Sequence, residues 1–233
     1  MTAQYVPSHP ESLGRELTGR QCLALATPLV LTLTMIPTFI GFVAWFGYPL
    51  GYLLAFVVYW IGWCLIVPAL LLGGWRQIPA LFGRSGVGKS TWDWKTALLV
   101  LWPLPFPILF RFLPQLDETN MAILAVSLGL GLVIGVTEEV LWRGVYLRLF
   151  PEHLGLNTLY PSIMFALWHL APQAVVANPS PGGAASFVFY SLVLGLSYAT
   201  HARKTGSIRG ATLSHCIHDI FGLGGFMYAV WLV

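Results

Sequence analysis

The stretch Gly135-Val136-Thr137-Glu138-Glu139-Val140-Leu141-Trp142-Arg143-Gly144 decides how the rest of the chain is read. It closes an apolar run that begins near Met121 and sets two adjacent carboxylates and a guanidinium inside it. A charge near mid-bilayer costs about 2.5–3.5 kcal/mol on insertion scales, so charges within a span face a cavity and act there. Glu139 and Arg143, four apart, share a helix face and can pair. Glu138 is turned about 100° from Glu139 and is free to point elsewhere. One acid is expected to be neutralised and structural, the other available for chemistry.

Composition agrees with a membrane setting. Of 233 residues, 57% are hydrophobic and 9% charged, against about 25% charged in soluble domains. The apolar runs are of helical length and lack the short alternating segments of a β-barrel. The net charge of +3 comes from loops and speaks to topology rather than to nucleic acid. Cys22, Cys64 and Cys216 lie in apolar segments without paired spacing and read as small buried side chains. Residues 1–20 are polar and mixed in charge, and the first apolar run is too long for the core of a cleavable signal. A single transmembrane domain over 21–233, after a polar segment 1–20, is the expected organisation.

Spans are expected at about 21–46, 50–72, 96–112 (kinked by Pro103, Pro105 and Pro107), 120–150, 157–170, 184–201 and 207–233. The last is one helix or two, broken near Gly222–Gly225. The fold class is therefore an all-α polytopic membrane protein, a bundle of seven or eight transmembrane helices. With the N-terminus cytoplasmic, every Lys and Arg except Arg111 falls on the inner side, as the positive-inside rule requires.

Gly83-Arg-Ser-Gly-Val-Gly88-Lys89-Ser90 spells the P-loop pattern, but that motif works only between a buried strand and a helix. Ile78–Phe82 is too short and contains Pro79, and Trp92-Asp93-Trp94 leads into a span. The stretch reads as a flexible basic loop, with no nucleotide as partner.

The informative polar residues are elsewhere. Phe165-Ala-Leu-Trp168-His169 puts an imidazole inside the fifth span, and His215-Cys-Ile-His218-Asp219 puts His215 and Asp219 on one helix face. At about 1.5 Å per residue, Glu138 lies about 18 Å in from the end of its span near Phe150, His169 about 17 Å and His215 about 12 Å from the starts of theirs. Three helices thus bring ionisable groups to a similar level, reachable from the cytoplasmic side. His9, His153 and His201 lie at ends or in loops and read as solvated, and Gly131-x-x-x-Gly135 reads as a place where another helix packs closely.

This set suits peptide hydrolysis, which needs a base for water, donors for the oxyanion and an acid for the leaving amine. Glu138 would take and return the proton, and His169 would orient the water or assist transfer. His215, its ring held by Asp219, would face the oxyanion. Cys216 points about 100° away from His215 on a helix and is poorly placed as a nucleophile.

The pattern resembles the CPBP family, the type II CAAX prenyl proteases and bacteriocin-processing (Abi) proteins. E-E-x-x-x-R (Glu138, Glu139, Arg143), F-x-x-x-H (Phe165, His169) and H-x-x-x-[ND] (His215, Asp219) occur in its order, and Gly206-Ser207-Ile208 before Leu213-Ser214-His215 is similar to its third motif. The similarity covers about residues 134–222. It implies an intramembrane glutamic endopeptidase with Glu138 as base and Glu139–Arg143 as a supporting pair. His169 joins water activation, and His215 with Asp219 forms the oxyanion side of a catalytic core at about 120–222. Many members carry Asn where this chain has Asp219. An ionised Asp cannot donate to an oxyanion, so Asp219 is either protonated or orients His215. A Glu/His/His set can hold zinc; the expectation is a reaction without metal or other cofactor. The implied partner is a membrane-associated peptide or protein, lipidated or carrying a C-terminal or leader signal, in a bacterial or archaeal plasma membrane, with the site open to the cytoplasmic side. A non-catalytic immunity or scaffold protein and a proton-coupled transporter are the alternatives from other classes.

Overall fold

The computed structural model describes residues 17–83, 93–178 and 182–233. Most of the P-loop-like stretch, with Arg84 and Lys89, and the N-terminal residues that include His9 and Arg15, lie outside the described residues.

Among the described residues all regular structure is helical. The first helix, α1 (Gly19–Phe46), opens on a capping box in which Thr18 accepts from the Gln21 amide and Gln21 accepts from the Thr18 amide. The next helix, α2 (Leu50–Leu72), ends at Gly73, whose φ of +90° is left-handed and suits glycine alone. Then come α3 (Trp94–Glu118), capped by Asp93, and α4 (Met121–Leu149), capped by Asn120. Outside the span, the Thr96 amide donates to the Asp93 carboxyl and holds it below its ordinary range. The fifth helix, α5, covers 155–173 with a turn at His169; α6 is Gly183–Thr205, α7 Arg209–Phe221 and α8 Phe226–Leu232. The break expected near Gly222–Gly225 separates α7 from α8. Prolines interrupt α3: Trp94–Leu101 is regular, and the chain re-forms a helix at Pro105–Pro107.

The first four helices and α6 are long and apolar enough to cross a membrane. Their outward side chains are apolar, as with Leu33, which is 71% exposed. The chain is an all-α integral membrane protein.

Contact between α4 and α7 dominates the packing. A Cβ on Gly135 would lie 2.6 Å from the Cys216 backbone nitrogen, and one on Gly131 2.6 Å from Ile220 Cγ1. Ser127, one turn earlier, donates its hydroxyl to the Ile220 carbonyl. Small residues here let two backbones touch where no hydrophobic force between helices exists. Gly135→Val is expected to overpack this seam and destabilise the protein by about 1–3 kcal/mol, read from its unfolding midpoint in detergent.

Two sequence readings need correction. His201 is not solvated: it is 1% exposed, and its Nδ1 donates to the Thr96 carbonyl at 2.9 Å, because the last turn of α6 lies against the start of α3. Cys22 is exposed, unlike Cys64 and Cys216, because it sits on the outer side of α1.

Candidate active site

Glu138 and Glu139 end the regular part of α4. The following residues, Val140–Val145, wind as a π helix, a local widening that is frequent at functional sites. Both carboxylates are buried, and they face different partners.

Glu139 faces its own helix and α7. Its Oε1 lies 3.0 Å from Arg143 Nη1 and accepts from His215 Nδ1 at 2.8 Å. The buried Arg143 guanidinium stands 4.3 Å from the Phe165 ring centre and 5.6 Å from that of Tyr198, so aromatic faces share its charge with the carboxylate. A carboxylate paired with arginine can only accept, so His215 carries its proton on Nδ1 and turns Nε2 the other way.

That nitrogen meets Glu138 Oε2 at 3.8 Å and Asp219 Oδ2 at 3.4 Å. Glu139, rather than Asp219, is thus the hydrogen-bond partner that sets the ring. The i,i+4 spacing put Asp219 beside His215, but the rotation of α7 against α4 turns Nδ1 to Glu139. The other oxygen of Asp219 bonds His218 Nδ1 at 3.1 Å, and His218 Nε2 meets the Tyr190 hydroxyl at 3.0 Å. His218 and Tyr190 were not anticipated as site residues. The signal available for His218 was its place three residues after His215 and next to Asp219.

His169 stands at the turn in α5, with Nδ1 2.7 Å from the Phe165 carbonyl. Because a carbonyl only accepts, Nδ1 is the protonated nitrogen and Nε2 of the neutral ring offers a lone pair. Edges of Phe165 and Phe187 flank it at 4.7 and 5.1 Å between centroids. Among the described residues no hydrogen bond joins His169 directly to Glu138 or His215, but all three line one cavity of about 860 Å³, mouth included. Cys216 packs against Gly135. Among the described residues no three His, Cys, Asp or Glu side chains are placed to share a metal ion.

The cavity extends well beyond these polar groups. Its lining runs from Glu138 and His215 to Tyr52, Asn178 and Trp231, at the end of the bundle that holds the α1–α2 turn. At the end with the basic residues, Leu81, Val145, Tyr146, Phe150 and Ile208 pack together, and Leu81 also lines a second pocket with Gly144, Arg148 and Gly206.

Fold and site together define a class: a helical membrane protein with carboxylates and imidazoles gathered round a buried cavity. Residues 120–221 match the family model described as Type II CAAX prenyl endopeptidase Rce1-like. This segment carries all three motifs and confirms the resemblance to the CAAX protease family, which is a family of proteases. No curated protein and no solved structure matches the chain.

Proposed function

We propose that this protein is an intramembrane glutamic endopeptidase that hydrolyses a peptide bond of a membrane-associated protein or peptide, without a metal or other cofactor. The observation that carries the reading is the division of labour between adjacent acids. Glu139 is committed to Arg143 and His215, and Glu138 faces the cavity beside His215 Nε2.

In this reading a water molecule sits against Glu138, with the His169 Nε2 lone pair accepting one of its hydrogens. Glu138 takes a proton as the water oxygen bonds to the carbonyl carbon. The resulting oxyanion faces His215, which stands among three carboxylates and presents Nε2–H to it. Collapse of the tetrahedral species breaks the C–N bond, and Glu138 returns its proton to the leaving amine. Arg143 and Glu139 hold the imidazole in register, and Asp219 Oδ2 stands 3.4 Å from its Nε2.

The catalytic core in this reading is about 120–222, within one transmembrane domain. The N-terminal end of α1 is cytoplasmic, and α5 and α7–α8 bring the number of spans to seven or eight. The substrate is lipidated or carries a C-terminal or leader signal.

The test compares membranes holding wild type or the Glu138→Gln variant for proteins whose terminal peptides differ in mass. A set of termini that appears only with wild type supports the reading, and identical termini overturn it. Because Glu139 sets the His215 ring, Asp219→Asn is expected to keep cleavage within about tenfold of wild type, whereas loss of an essential acid or base costs about 100-fold or more. Rates on a substrate found by the terminal comparison decide this.

A further inference from the structure

We propose that His218 and Tyr190 are positioning residues: they hold the Asp219 carboxylate just outside hydrogen-bond reach of His215 Nε2, so that the proton on this nitrogen is left for the oxyanion. The inference rests on the peptidase reading for what that nitrogen does, and on the fold for how the carboxylate is held.

The two oxygens of Asp219 have different surroundings. Oδ1 lies 3.1 Å from His218 Nδ1, and His218 Nε2 lies 3.0 Å from the Tyr190 hydroxyl. A carboxylate only accepts, so His218 donates from Nδ1, and the lone pair on Nε2 of the neutral ring accepts the Tyr190 O–H. Tyr190 is fixed in turn from α3: its ring centre is 6.1 Å from that of Trp102 and 5.4 Å from that of Phe106. The line Tyr190–His218–Asp219 therefore anchors one carboxylate oxygen of α7 to α6 and, behind it, to α3. The turn between α7 and α8 walls another side of the same carboxyl. Gly225 donates its amide to the Asp219 carbonyl at 2.7 Å, and a Cβ on Gly224 would lie 2.9 Å from Asp219 Cγ and 3.0 Å from Oδ2.

Oδ2 is the oxygen left over. It is buried and, among the described residues, has no hydrogen-bond partner. His215 Nε2 stands 3.4 Å away, beyond the about 2.7–3.2 Å of an N–H···O bond. A buried acceptor without a partner costs free energy, and a small swing of the carboxylate toward His215 would satisfy it. That swing would also claim the proton the oxyanion needs, through a charge-assisted bond about twice as strong as a neutral one. Glu138 Oε2, the other acid facing Nε2, is farther off at 3.8 Å. By holding Oδ1, His218 keeps Oδ2 from closing the gap, and the reacting carbonyl meets a donor that no protein group has taken.

The experiment measures kcat and KM of the full-length protein in detergent, on a substrate found by the terminal comparison. His218→Phe keeps a ring and removes the tie. It is expected to lose about 10- to 100-fold in kcat with KM unchanged, less than the about 100- to 1,000-fold for losing an oxyanion donor outright. Asparagine carries an N–H where histidine has Nδ1, so His218→Asn is expected within about threefold of wild type. Adding Asp219→Asn to His218→Phe is expected to raise kcat again, because a neutral amide competes less for the Nε2 proton; lost packing would give no such reversal. Undiminished kcat in His218→Phe, His218→Asn as slow as His218→Phe, or a further loss on adding Asp219→Asn would each overturn the proposal. Tyr190→Phe is the second variant should His218→Phe fail to accumulate, with the same reversal expected. A structure of the slowed variant gives a reading independent of activity: the distance from Asp219 Oδ2 to His215 Nε2 is expected to shorten into hydrogen-bond range, and an unchanged distance overturns the tie. Peptidase activity itself is judged separately, by whether Glu138→Gln still cleaves.

Discussion

The Glu138→Gln variant is expected to lose about 100- to 10,000-fold in cleavage rate, the range a positioned acid–base group contributes, while inserting and folding as wild type does. Glutamine keeps the size of the side chain and removes its ability to take a proton from water. In the proposed mechanism Glu138 works twice, as base in the attack and as acid toward the leaving amine, so both steps suffer together. Its immediate ionic contact is His215 Nε2 at 3.8 Å, longer than a hydrogen bond, so the amide disturbs little in the resting protein. The measurement is single-turnover cleavage in detergent alongside a thermal unfolding profile. Unchanged cleavage would remove Glu138 from the reaction, and a lowered unfolding midpoint would point instead to a structural acid.

Arg143→Met is expected to produce the largest loss of stability, about 3–5 kcal/mol, as when one member of a buried ion pair is removed. The change leaves Glu139 wholly buried, with the His215 ring as its remaining hydrogen-bond partner, and removes the cation packed on Phe165. Adding Glu139→Gln to Arg143→Met is expected to recover most of that stability, because the uncompensated charge disappears while an amide oxygen still accepts from His215 Nδ1. Unfolding midpoints of the two single variants and the double variant give the coupling directly. Additive losses would show that Arg143 acts through packing and not through charge.

Much of the site depends on relations within one helix, and those are readable from spacing. The Glu139–Arg143 pair follows from a separation of four residues, and the different directions of Glu138 and Glu139 from the turn per residue. Gly131 and Gly135 marked a close helix contact because small side chains permit one in lipid, and the contact with Ile220 and Cys216 is there. The apolar runs likewise settled the all-helical membrane class.

Relations between helices were not readable in the same way. Which nitrogen of His215 meets which acid depends on how far α7 is rotated on α4, and that rotation is set by backbone packing at the glycines. His218 and Tyr190 meet across α7 and α6, 28 residues apart in sequence, and no periodicity joins them. His201 looked like a helix-end residue because its partner, the Thr96 carbonyl, lies 105 residues away. By itself the sequence determined a helical membrane protein with acids and imidazoles at a common level, because helix period and bilayer cost act locally. The tertiary structure alone decided their partners, because these arise from the packing of segments far apart in the chain.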